Sequence, residues 1–113
     1  MKQIALVLAL VAVPALALAD APEHVLNDSG QEATFDCGKG GKVVVNGANN
    51  RVAIRGGCIK VLINGAQNQV AIESADRIAI NGAGNEVLYH RGWTRKAPKI
   101  ANTGVGNKIA RKK

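Results

Sequence analysis

The chain is predicted to be all-β: a small, single-domain parallel β-solenoid of about three to four coils. Three observations predict this. One phrase recurs at residues 42–54, 60–72, 77–89 and 99–111, reading Lys-Val-Val-Val-Asn-Gly-Ala-Asn-Asn-Arg-Val-Ala-Ile in its first copy. A short period with the same residue types in the same places marks a stacked repeat fold. Within each copy, two strand-like pieces with period-two alternation flank a Gly- and Asn-rich corner, the signal of strands with one buried face. Finally, identical residues return in register, which coils stacked about 4.8 Å apart exploit through ladders of like side chains. An antiparallel meander, with each Asn-Gly closing a hairpin, is the alternative.

The elements follow in chain order. Lys2 precedes an unbroken apolar run of 16 residues, 4–19, which ends in Ala17-Leu18-Ala19 and is followed by Asp20. Positive start, apolar centre and small-residue end form a secretory signal peptide, and the run is shorter than the roughly 20 residues that span a bilayer. Residues 1–19 are therefore expected to be removed, leaving residues 20–113 as one exported domain, periplasmic or secreted, without a transmembrane segment. No Cys stands directly after the run, so a lipoprotein anchor is expected to have no attachment point.

Gln31-Glu32-Ala33-Thr34-Phe35 reads as a second strand lacking its first, a partial coil that starts the stack. The repeats are then residues 42–59, 60–76, 77–98 and 99–113. Inward positions are expected at Val43, Val61, Ile78 and Ile100, at Val45, Ile63 and Ile80, at Val52, Val70, Val87 and Ile109, and at Ile54, Ile72 and Tyr89. In the last copy Asn102 and Arg111 take inward places, as suits a terminal coil with solvent beyond it. Asn50, Asn68, Asn85 and Asn107 would stack as an amide ladder. Gly47, Gly65, Gly82 and Gly104 would occupy one corner that demands positive φ. Residues 90–98, between Tyr89 and Lys99, form the one long excursion, and insertions in repeat folds become loops that often lie on a binding face.

A domain this small needs a staple. Cys37 and Cys58 both lie in the exported part, where an oxidising compartment pairs two cysteines as a structural disulfide. The bond would fasten the partial coil to the first full repeat.

These motifs together resemble the secreted bacterial proteins grouped as domain of unknown function 3060. The likeness rests on the signal peptide, the Cys before the first repeat, and Gly56-Gly57-Cys58. It rests also on the Val-x-Ile-x-Gly-x-x-Asn-x-Val phrases at residues 61–70 and 78–87, and on Pro98 before a last Gly-x-x-Asn at residues 104–107. It covers residues 34–109. The resemblance implies an exported, β-rich stacked domain and no assigned activity.

Composition narrows the function further. The formal net charge is +7, and residues 1–19 contribute one Lys and no acid, so the exported domain stays basic. Acids cluster early, at Asp20, Glu23, Asp28, Glu32 and Asp36, whereas Lys and Arg dominate from Lys39 onward. That asymmetry favours anionic partners such as an envelope polymer, a lipid surface or nucleic acid, although no specific nucleic-acid motif is present, and a protein partner is the further candidate. Residues 81–89 are similar to a calcium-binding nonapeptide, but the carboxylate position holds Arg51, Gln69, Glu86 and Lys108, so no metal and no cofactor is expected. Neither His24 nor His90 sits in a recognisable nucleophile–base set, so no catalytic residue is assigned. Lys42, Lys60, Arg77 and Lys99 each precede a first strand and would form an outward basic column, which Arg91, Trp93, Arg95 and Lys96 of the excursion would extend. The expected function is a non-enzymatic binding or structural module of the envelope or extracellular space. Two alternatives stand beside it: a hydrolase-like or metal-assisted enzyme using the 89–96 excursion, and a protein that self-associates through its weakly polar outward columns.

Overall fold

The computed structural model describes residues 22–112; the signal-peptide reading of residues 1–19 lies outside them. Seven strands follow in order: β1 (Glu23–Asn27), β2 (Glu32–Ala48), β3 (Arg51–Ala66), β4 (Gln69–Ala83), β5 (Glu86–Arg91), β6 (Lys99–Val105) and β7 (Lys108–Arg111). Every pairing is parallel. The Asn-Gly corner therefore turns the chain into the next side of a coil and closes no hairpin, which excludes the meander. Each of the three long strands carries the second side of one coil and the first side of the next. In β2 the change of side shows as register shifts between Asp36 and Lys42.

The coil count is five, one or two more than the repeats alone suggest. Glu23–Asn27 pairs residue for residue with Lys42–Asn46, so the supposed half-coil at Glu32 has a first side after all. Its corner conceals it: Asp28-Ser29-Gly30-Gln31 stands where the next three coils have Gly-Ala-x-Asn and the last has Gly-Val-x-Asn. The glycine is needed only above another coil. A Cβ on Gly65 would be driven into the Gly47 carbonyl, and one on Gly82 into the Gly65 carbonyl. Gly47, Gly65, Gly82 and Gly104 all hold φ between 130° and 136°. Asp28 has no coil beneath it among the described residues and escapes the requirement.

The core is a stack of matching aliphatic rows. Val43, Val61 and Ile78 lie one above another, as do Val45, Ile63 and Ile80, and all are buried. Val52, Val70 and Val87 with Ile54 and Ile72 face them from the second side. At the first coil Leu26 and Phe35 pack against this core half-buried, with His24 stacked on Phe35 at 5.0 Å between ring centres. At the last coil Tyr89 and Ile109 are half-buried and Ile100 is 37% exposed. The Cys37–Cys58 disulfide is formed, joining residues 21 apart with fully buried sulfurs. Closing a loop of that length contributes about 3 kcal/mol by restricting the unfolded chain.

Candidate anion-binding surface

Outward residues of the first side form three parallel rows. Lys42, Lys60, Arg77 and Lys99 are successive partners in the parallel register, and all four are exposed. Neighbouring coils place them about 4.8 Å apart, a distance at which unscreened like charges repel. Neither of the two ion pairs among the described residues, Arg51–Glu32 at 3.6 Å and Arg91–Glu73 at 3.7 Å, engages this row. Beside it runs an apolar row of Val44, Leu62, Ala79 and Ala101.

The third row is an outer amide ladder. Asn46 donates from Nδ2 to Asn27 Oδ1 at 2.7 Å, Asn64 to Asn46 at 2.9 Å, and Asn81 to Asn64 at 3.0 Å. Each amide in such a chain keeps a second N–H and a second acceptor lone pair beyond those the ladder uses. The sequence points to the Asn50 column more plainly than to this one, whose signal is an Asn before three of the four corner glycines, Thr103 preceding the fourth.

The Asn50 column runs inside. Asn50, Asn68 and Asn85 are buried, and Asn107 is partly buried. Asn68 Nδ2 donates to Gly47 O and to Asn85 Oδ1, both at 3.1 Å, while its Oδ1 accepts from Asn50 N at 3.1 Å. Asn85 repeats the pattern with Gly65 and Asn107. These amides supply partners for corner backbone groups that face away from water.

The excursion is pinned by Asp76. Its carboxylate accepts the backbone N–H of Trp93 at 3.0 Å and of Thr94 at 2.7 Å, and also the Thr94 hydroxyl. Desolvation pushes the carboxyl up, but the Thr94 and Trp93 hydrogen bonds and the nearby Arg95 charge outweigh it and hold the pKa below its usual 3.8. Trp93 is thereby folded back over earlier coils: its indole fills the space a Gly57 side chain would need, and a Cβ on Gly40 would stand 3.3 Å from it. Arg95 stays beside Asp76, and Lys96 is exposed, its carbonyl accepting from Gly92 N at 3.3 Å. Arg91 turns toward Glu73 and lines a shallow groove of the second side with Arg55, His90 and Lys112. The structure thus gathers four of the eight sequence-assigned residues into one line, sets Trp93 and Arg95 at Asp76, and sends Arg91 to another face.

The anchor has a definite pH dependence. A carboxyl held below its unfolded pKa stabilises the loop fully above that unfolded value and stops doing so as pH falls through the lower folded one. Trp93 is the only tryptophan, so its emission reports the loop. The expected result is a red shift as wild type is acidified below 3.8. Asp76→Ala is expected to show the shifted emission at neutral pH already, with no acid transition. Identical spectra for the two proteins at neutral pH would refute the anchor.

Among the described residues, no group of three or more His, Cys, Asp or Glu side chains converges as a metal site. What the geometry defines is a disulfide-fastened parallel β-solenoid that offers rows of side chains along flat sides. The chain belongs to the family described as protein of unknown function (DUF3060), whose model matches residues 45–106. No curated protein and no solved structure matches it.

Proposed function

We propose that this protein is a non-enzymatic binding module of the bacterial envelope or extracellular space that holds a linear anionic polymer along its first side. The observation that carries this reading is the row Lys42, Lys60, Arg77 and Lys99: four exposed cations in consecutive register, outside both ion pairs among the described residues. Stacking like charges costs free energy in the free protein, and a polymer with regularly spaced anionic groups offsets that cost on binding. The adjoining rows fit such a ligand. Val44, Leu62 and Ala79 offer an apolar strip, and the outer amides of Asn46, Asn64 and Asn81 offer donors and acceptors at the same spacing.

The test is titration of the exported protein with fluorescein-labelled heparin. Four charge contacts predict that affinity falls about a hundredfold between roughly 50 and 200 mM salt. Lys60→Glu with Arg77→Glu removes the centre of the row and is expected to abolish binding at low salt while leaving the melting temperature nearly unchanged. Undiminished binding by that variant would reject the row as the site.

A further inference from the structure

We infer that this chain stacks head to tail with further copies of itself, the last coil of one molecule extending the parallel sheet into the first coil of the next. Both ends are open among the described residues: β1 pairs only with β2 at one end, and at the other β6 pairs only with β4 and β7 only with β5. Each end therefore offers an unsatisfied strand edge, a template for another strand.

Charge selects the partner. Continuing the chain's own register across the join sets Lys99 over Glu23, Lys108 over Glu32, and Lys112 over Asp36. In all three charged columns the first coil carries the acid and the last coil carries the base, and all six side chains are exposed. Opposite charges facing each other across strands are favourable, whereas joining two first coils or two last coils sets like charges face to face. The join is thus heterologous and directional, the kind that propagates as a filament.

The core matches less fully in the same register, which sets Ile100 over His24, Asn102 over Leu26, Ile109 over Ala33 and Arg111 over Phe35. The polar intruders of the last coil already have partners: Asn102 Oδ1 accepts from Asn107 Nδ2 at 3.0 Å, and Arg111 Nε donates to His90 O at 3.1 Å. Arg111 falls over Phe35, where a guanidinium lies well on an aromatic face. The corners cannot close across the join as they do within the chain. A Cβ at the matching glycines would stand 1.7–1.8 Å from the carbonyl below, and Asp28 carries one, so the sheets join only along the strand edges of their flat sides. The join is therefore weaker than the contact between coils of one chain, and it is reversible and salt-sensitive.

Sedimentation of the exported protein over a concentration series at low and high salt tests this. Wild type is expected to form concentration-dependent oligomers at low salt that dissociate at high salt. Glu32→Lys/Asp36→Lys and, separately, Lys108→Glu/Lys112→Glu each set like charges across the join and should weaken association at least tenfold. Mixing the two variants restores opposite charges at every join and should restore oligomers, which also shows that both are folded. The basic row of the proposed polymer site is untouched in both variants, so heparin binding reads out separately. A wild type that stays monomeric at its highest soluble concentration overturns the inference. So does association that both variants retain, which would place contact on the flat sides, and so does a mixture that stays monomeric.

Discussion

Replacing Gly65 with Ala is expected to destabilise the domain by about 3–5 kcal/mol, enough to remove most of the stability of a domain this size. Two penalties act together. The residue holds φ at 135°, where an L side chain is strained, and its Cβ would be forced into the Gly47 carbonyl of the coil below. Relaxation is blocked because that carbonyl belongs to an ordered corner with Asn68 Nδ2 bonded to it at 3.1 Å. Each kcal/mol shifts the melting temperature of such a domain by about 4–8 °C, so thermal unfolding followed by circular dichroism should show a fall of roughly 15 °C or more. Gly30→Ala is the matched control. Gly30 also has positive φ, 71°, but nothing stands within 4 Å of its Cβ position, and the expected cost is only about 1 kcal/mol. Equal losses for the two variants would show that backbone strain, and not the collision between coils, sets the glycine requirement.

Asn68→Ala is expected to cost about 3–4 kcal/mol. The side chain is fully buried and serves three neighbours: it accepts from Asn50 N and donates to Gly47 O and Asn85 Oδ1. Truncation leaves a buried N–H and a buried carbonyl without these partners and opens a cavity. Water at the surface would have satisfied the same groups at little cost. Asn81→Ala in the outer ladder makes that comparison, since Asn81 is exposed and solvent can replace its bond to Asn64; its expected cost is within about 0.5 kcal/mol. Chemical denaturation of both variants checks the contrast. A small loss at Asn68 would mean that the inner amides decorate the corner without supporting it.

The architecture was legible because stacking forces the same physical demand on the same position in every coil. The aliphatic rows and the parallel register follow from columns that can be read by aligning the chain with itself, and the Cys37–Cys58 bond from two cysteines left to pair in an oxidising compartment. The first coil escaped because the demand relaxes at an end. Without a coil beneath it among the described residues, Asp28 can replace the corner glycine and Gln31 the ladder Asn, so the self-similarity that betrays the other coils is lost. Trp93 escaped for a different reason. Its position depends on an excursion that occurs once, on the Asp76 carboxylate that gathers it, and on the missing side chains of Gly57 and Gly40 that make room for it. No period announces such a contact. The outer Asn46 row was periodic but resembled turn chemistry, since an Asn before Gly is a common corner signal whether or not its amide bonds along a stack.

That outer row also bears on the chemical ageing of the chain. Asn46-Gly47, Asn64-Gly65 and Asn81-Gly82 are Asn-Gly pairs, the sequence context in which a free chain most readily cyclises to a succinimide and deamidates. Cyclisation requires the glycine nitrogen to swing onto the preceding amide carbon. Here the amides are tied to one another, and the glycines are held in register from coil to coil. The folded stack thus shields its most fragile peptide linkages, and conversion of these asparagines to aspartate becomes a record of how long a molecule has spent unfolded.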